Sequence, residues 1–191
     1  IVLPAFVIIW VTNALTLAGM NVFDAKLLAE LNVERGPLKF GDTIQLLVSG
    51  ALAPVGGWLA DRYGVRPVMT VGVLLLVGAL YGFSTIDSLA GVYLMRALMG
   101  GALAGAGLVI CVTIVSRWFV AKRGLALGLM LSGTSLGNAV IPQMNAALIA
   151  EHGWREAFTI ICLIPLLLLP IILFVIKEWP DRIGLKAFGA E

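Results

Sequence analysis

Residues 56–69 read GGWLADRYGVRPVM, where three charges, Asp61, Arg62 and Arg66, interrupt two long apolar runs. Crossing a hydrocarbon core of about 30 Å takes about 20 mostly apolar residues in a helix. Both flanking runs meet that length, so the charges read as a turn between two membrane helices. Working outward adds four more runs and gives six expected spans: 3–23, 43–60, 68–86, 89–115, 124–148 and 157–176. Lipid offers no partner to a free backbone N–H or C=O, and the runs lack the alternation of barrel strands, so each span is expected to be helical.

Composition agrees. The 191 residues are 60% hydrophobic and 13% charged, with a mean hydropathy of +1.02. A soluble domain carries about a quarter of its residues as Asp, Glu, Lys and Arg, so this chain is read as integral to a lipid bilayer. A net charge of +2 gives no basis for a nucleic-acid partner. Cys111 and Cys162 fall inside apolar runs and read as buried small residues. No catalytic set, metal-ligand spacing or cofactor loop stands out; DRYG lacks the glycines and the lysine of a phosphate cradle. His152, beside Glu151 in an outer connector, reads as solvated. The chain begins in apolar sequence without a methionine or a leader pattern, so the first residues are expected to enter the first span directly.

Lysine and arginine placement sets orientation. With residue 1 inside, the inner segments hold Arg62, Arg66, Arg117, Lys122, Arg123, Lys177, Arg182 and Lys186, and the outer ones Lys26, Arg35, Lys39 and Arg155. Both ends are therefore expected in the cytoplasm, with GGWLADRYGVRPVM as a cytoplasmic loop of a cell (inner) membrane protein. Among helix boundaries, Asp42-Thr43 is expected to cap the second span after a Gly36-Pro37 turn, and Pro67 suits the first turn of the third. Pro165 and Pro170 are expected to bend the sixth.

Several residues are out of place in lipid. Arg96, in YLMRALMGG, stands about 10 Å along its helix from Leu89 at about 1.5 Å per residue. Such a charge either snorkels to the interface or faces protein or water. Asn13, Thr16 and Asn21 share a broad face of the first span, Gln45 and Ser49 lie four apart on the second, and Ser135 and Asn138 three apart on the fifth. These residues read either as interhelical hydrogen-bonding groups or, with Arg96, as the lining of a substrate or proton path between the first, second, fourth and fifth spans. The third and sixth spans, almost wholly apolar, are expected to face lipid. Gly101 and Gly105, Gly124 and Gly128, and Gly133 and Gly137 repeat a spacing of four that lets helix backbones approach closely.

The opening stretch also carries a resemblance. Gly57-x-x-x-Asp61-Arg62-x-Gly64-x-Arg66, between a second and third span, resembles the signature loop of the major facilitator superfamily, with Val65 where a basic residue is usual. Arg96-x-x-x-Gly100 with Gly105 resembles its fourth-helix motif. LLAELNVERGPLKFGDTIQLLVSGALAPVGG, SRWFVAKRGLALGLMLSGTSLG, GWREAF and WPDRIGLKAFG look like its monocarboxylate and oxalate–formate branch. Asn138 and Ile141 occupy the Pro and Gly positions of the antiporter motif, and the first span has no lysine. The resemblance implies an all-α membrane fold, one six-helix bundle with a 3+3 inverted repeat. The chain, residues 1–191, would be the amino-terminal bundle of a twelve-helix transporter, working with a carboxy-terminal six-helix bundle.

It further implies alternating access about a midplane site. Asp61, near the carboxyl end of a helix where the dipole disfavours an anion, needs a cation; Arg62, Arg66 and Arg117 are candidates. With Gly57 for close packing and Gly64 for a left-handed turn, these residues are expected to form a conformational latch. The expected substrate is a small organic anion, a monocarboxylate, moved with a proton or by exchange. An exporter of drug-like or other metabolites is one alternative. A non-transporting scaffold or half-unit is another, and an enzyme is not expected.

Overall fold

In a computed structural model, residues 1–179, 184 and 186–189 are described. Six of the helices are long and apolar enough to cross a membrane: α1 (Val2–Val22), α3 (Arg35–Arg62), α4 (Val65–Phe83), α5 (Leu89–Trp118), α6 (Arg123–His152) and α7 (Trp154–Val175). A short helix, α2 (Asp24–Leu31), lies between the first two spans.

The second span starts earlier than local signals suggest. Glu34 precedes its first turn, and Gly36 and Pro37 lie inside that turn, where a proline loses no intrahelical bond. Asp42 is thus not a cap; it stands two turns inside α3. Pro67, by contrast, sits in the first turn of α4. The prolines of α7 do disturb it, with a 3₁₀ turn at Pro165–Leu167 and a π-helical turn at Ile171–Val175.

Two triples of spans interdigitate. α1 packs on α6, while α5 packs on α3 and α4. The first helix of each triple (α1, α3, α4 and α5, α6, α7) therefore meets the second helix of the other, as an inverted repeat requires. Pro54 in α3 and Pro142 in α6 fall at the same position counted from their helix starts, a second sign of the repeat.

Glycines set the approach distances. A Cβ on Gly100 would stand 2.5 Å from the Gln45 carbonyl oxygen, and one on Gly56 2.7 Å from that of Ala104, so α3 and α5 touch backbone to backbone. Gly105 meets Gly72 of α4, with a Cβ 3.0 Å from its Cα. Gly133 and Gly137 do the same for α6 against α1, with Phe6 and Trp10 carbonyl oxygens at 2.8 and 2.7 Å. Gly101 has ordinary contacts with Leu75 and Leu52. The expectation for Gly124 and Gly128 needs correction: nothing lies within 4 Å of a Cβ on either. Both stand on the exposed surface of α6. Gly57 is likewise open, and its neighbour Gly56 makes the close contact.

The lipid-facing expectation also divides. α7 leaves Leu163, Leu167, Leu173 and Phe174 exposed. α4 buries a full stripe, Met69, Val73, Leu76 and Leu80, inside the bundle while Val71 and Leu74 face out. The least buried span is α3, which has only 17% of its window inside the chain.

Candidate functional site

α1 departs from α-helical geometry over Ala14–Ala18, which is π-helical, and Gly19–Val22, which is 3₁₀. Such irregularity in a membrane span requires side chains that satisfy displaced backbone groups. Gln45 of α3 donates through Nε2 to the Thr16 carbonyl (3.1 Å), and Asn145 of α6 through Nδ2 to the Gly19 carbonyl (3.1 Å). The Thr16 hydroxyl donates to Thr12 O (2.7 Å). A second break lies at Gly107 in α5, where a Cβ would stand 2.2 Å from Leu103 O. Thr12 donates to the Ala106 carbonyl beside that break at 3.3 Å.

Beside the irregular stretch of α1 is a cavity of about 370 Å³. Thr16 and Asn21 of α1, Asp42 and Gln45 of α3, Arg96 of α5 and Asn138 of α6 line it. Five of these are the polar residues singled out in the sequence, and they come from four different spans. Asn13 lies apart, donating to Thr134 at 3.4 Å, and Ser135 is exposed. Ser49 is half-buried and does not line the cavity.

Arg96 is 3% exposed, so it does not snorkel. Its Nη1 donates to Gln45 Oε1 at 3.1 Å, and its Nη2 stands 2.7 Å from Asp42 Oδ1. That second approach is an ion pair without hydrogen-bond alignment, and Nε is buried without a partner among the described residues. Asp42 is shared: Lys39 Nζ reaches its Oδ2 at 3.0 Å, Asp24 Oδ2 at 2.6 Å and Asn21 Oδ1 at 2.7 Å. A second cavity of about 500 Å³, lined by Asp24, Arg35 and Lys39, meets the first at Asn21. Sequence reading missed Asp42, Lys39 and Asp24 as parts of the site because they sit among the charges of a connector. It missed Asn145 because an isolated amide in a helix carries no pattern.

The opposite end of the bundle holds the second cluster. Arg117 Nη2 donates to Asp61 Oδ1 at 2.6 Å. Of the other candidate partners, Arg62 lies over the Trp58 and Tyr63 rings, with its guanidinium carbon 5.3 and 5.5 Å from the centroids. Arg66 Nε donates to the Ile176 carbonyl at 2.6 Å. Gly64 adopts φ +95°, a conformation that favours glycine, and a Cβ there would collide with the Glu178 carboxylate. The segment after α7 closes over this end: Trp118 donates to Lys177 O, Arg117 stacks on Trp179 at 4.5 Å, and Phe188 exchanges backbone bonds with Trp118 and Val120. Arg182, within WPDRIGLKAFG, lies outside the described residues.

At the Arg96 end, Arg155 ties three connectors together. It reaches Glu30 of α2 at 2.8 Å, Asp87 at 2.9 Å and the Ser84 carbonyl at 3.0 Å. Hydrogen bonds from Arg155 and from the Trp154 indole hold the Glu30 carboxyl below its ordinary range. Cys111 and Cys162 are buried free thiols, and among the described residues no group of acids, histidines and cysteines could hold a metal.

The sequence profile of the Major Facilitator Superfamily matches residues 4–189. The chain belongs to the major facilitator superfamily. It is 27% identical over 161 residues to monocarboxylate transporter 1 of Bos taurus, covering 84% of this chain and 32% of that protein. It is 31% identical over 159 residues to the oxalate:formate antiporter of Oxalobacter formigenes, covering 82% and 37%. The chain thus spans about a third of the length of these relatives. Among solved structures, the inward-open xylose transporter XylE from E. coli superposes with a TM-score of 0.72 at 18% identity, over 94% of this chain and 48% of that one. This last likeness speaks for the superfamily fold alone.

Proposed function

We propose that this bundle is the amino-terminal half of a secondary transporter that carries a small organic anion, a monocarboxylate, by alternating access. The observation that carries the reading is Arg96, a buried arginine on a polar cavity walled by four spans. A planar guanidinium with spare N–H donors is suited to a carboxylate, which it holds through paired hydrogen bonds. Both curated relatives reported above bear names of carboxylate carriers, which supports the same class. A carboxy-terminal bundle completes the path; the open apolar faces of α3, at Leu46, Leu47 and Val55, are where such a partner would find surface.

In this reading the Asp61–Arg117 end faces the cytoplasm, as the lysine and arginine bias favours for a cell-membrane protein. The latch formed by Asp61, Arg117, Gly64 and Arg66 then braces the cytoplasmic ends of α3, α4 and α5 while the Arg96 cavity is open outward. Gly57, with free space around it, and Arg62, stacked on its own helix, take no direct part in that brace within this bundle.

The test is uptake by the complete transporter in liposomes, with radiolabelled formate, lactate and oxalate as probes and xylose as a neutral control. Saturable anion uptake is expected under a proton gradient or against an internal anion. Arg96→Gln is expected to lower kcat/KM about a hundredfold, as when one partner of a buried charged contact is lost. If no carboxylate moves under either gradient, the reading is wrong.

A further inference from the structure

A groove of about 310 Å³ runs between α3 and α4 over α5, and it shares no lining residue with the two polar cavities. Leu52 and Leu59 of α3 form one wall, Val71 and Leu75 of α4 the other, and Gly101 and Gly105 of α5 the floor. Every lining residue is apolar or glycine except Tyr63 at one end. The groove depends on glycine at its floor: a Cβ on Gly101 would stand 3.4 Å from Leu75 and 3.9 Å from Leu52. From Leu52 to Tyr63 the α3 wall rises about 16 Å at about 1.5 Å per residue. That is the depth of one leaflet, half of a hydrocarbon core of about 30 Å. Spread over that length, the volume leaves a channel about 5 Å across, half the width of a helix with its side chains, about 10 Å. A helix of a partner bundle does not enter such a channel, whereas a single hydrocarbon chain does.

We propose that the groove holds one acyl chain of an anionic phospholipid from the leaflet at the Asp61 end, with the headgroup phosphate on Arg62. The mouth of the groove carries what a headgroup needs. Trp58 and Tyr63, 54% and 62% exposed, are amphipathic rings of the kind that gather at the membrane–water boundary. Arg62 lies over both rings, its guanidinium carbon 5.5 Å from the Tyr63 centroid, and among the described residues it pairs with no carboxylate. Its neighbour Asp61 is taken by Arg117 at 2.6 Å. With that pair set aside, Arg62, Arg66, Lys122, Arg123, Lys177 and Lys186 stand against Glu178 among the described residues of this end. The excess of positive charge favours an acidic headgroup, and a guanidinium offers a phosphate paired N–H bonds. The carboxy-terminal bundle is the competing occupant, since Val55 lines the groove and also belongs to the face of α3 offered to that bundle. The depth of the groove, one leaflet where a spanning helix needs two, decides for the lipid.

The experiment uses the complete transporter in detergent, given dioleoyl-phosphatidylglycerol with a photoreactive diazirine in mid-chain, and maps the labelled peptides by mass spectrometry. Labelling is expected to concentrate at residues 52–59, 68–75 and 101–105, well above that of the exposed face of α7 at Leu163 and Leu167. Unlabelled phosphatidylglycerol should displace the probe about fivefold better than phosphatidylcholine, roughly what one basic residue at the surface supplies, and Arg62→Gln should abolish that preference. Val71→Trp puts a bulky ring at an exposed lining position and should remove the groove labelling for either headgroup. Leu167→Trp on α7 should leave it unchanged. Labelling spread evenly over the groove and α7 shows annular lipid only and overturns the proposal. Groove peptides that stay unlabelled show that the carboxy-terminal bundle covers them, with the same consequence. An unaltered headgroup preference in Arg62→Gln overturns it as well. Should Val71→Trp fail to fold, the wild-type labelling pattern still decides. None of these readouts involves transport, so the test stands whichever solute the transporter carries.

Discussion

Two arginine–aspartate pairs of nearly equal length stand at different depths in this bundle. Arg96 and Asp42 approach to 2.7 Å, with side chains 4% and 33% exposed; Arg117 and Asp61 approach to 2.6 Å, with side chains 9% and 72% exposed. Distance does not separate them, but surroundings do. Around Arg96 the Asp42 carboxylate is the main compensation for a charge removed from water, and among the described residues Gln45 is the one hydrogen-bond partner of its guanidinium. Around Asp61 water screens the pair, and the closure of that end is also supported by Arg66 on Ile176, Trp118 on Lys177 and Gly64 against Glu178. The buried pair is therefore expected to cost much more to break than the exposed one.

The contrast breaks most visibly at Arg96. Arg96→Met in the complete transporter should cost about 3 kcal/mol of stability, because Asp42 loses a buried cation. Adding Asp42→Leu should recover a large part of that loss, measured by thermal unfolding in detergent. A double variant as unstable as the single one would show that the pair is not the source. Next comes the surface that positions Arg96. Gly100→Val drives a side chain toward the Gln45 carbonyl 2.5 Å away and should cost about 2 kcal/mol and depress transport, as overpacking does. Gly124→Ala and Gly128→Ala, with open space around them, should leave both unchanged.

At the exposed pair the expected effect is smaller and of another kind. Asp61→Asn should change stability by less than about 1 kcal/mol. It should still shift the population toward the inward-open form, read by spin-label distances across the α3–α5 end. An unchanged population would remove the latch. The smallest effect belongs to the Arg155–Glu30 clamp. Hydrogen bonding lowers the Glu30 pKa from 4.5, so its contribution to stability is full above that value and fades as pH falls through the lowered one. Wild type should exceed Glu30→Gln in unfolding temperature at neutral pH and converge with it in acid. A gap that widens in acid would reverse the assignment.

The sequence by itself determined the membrane class, the six spans and the DRYG turn, because hydropathy and helix length act locally and lipid leaves the backbone few alternatives. It also pointed to Arg96, since an arginine inside an apolar run demands an explanation. Only the tertiary structure decided what explains it. Asp42 read as a cap because Gly36-Pro37 looks like a turn, yet a proline in a first helical turn breaks nothing, and α3 runs on from Arg35. Which glycines meet a backbone, Gly100, Gly133 and Gly137 but not Gly124 or Gly128, depends on the helix facing them and not on their spacing. Asn145 finds its purpose only because α1 is irregular at Gly19. A single helix records which of its residues are costly in lipid; the partner that makes each one tolerable lies on a neighbouring helix, so it is chosen by packing.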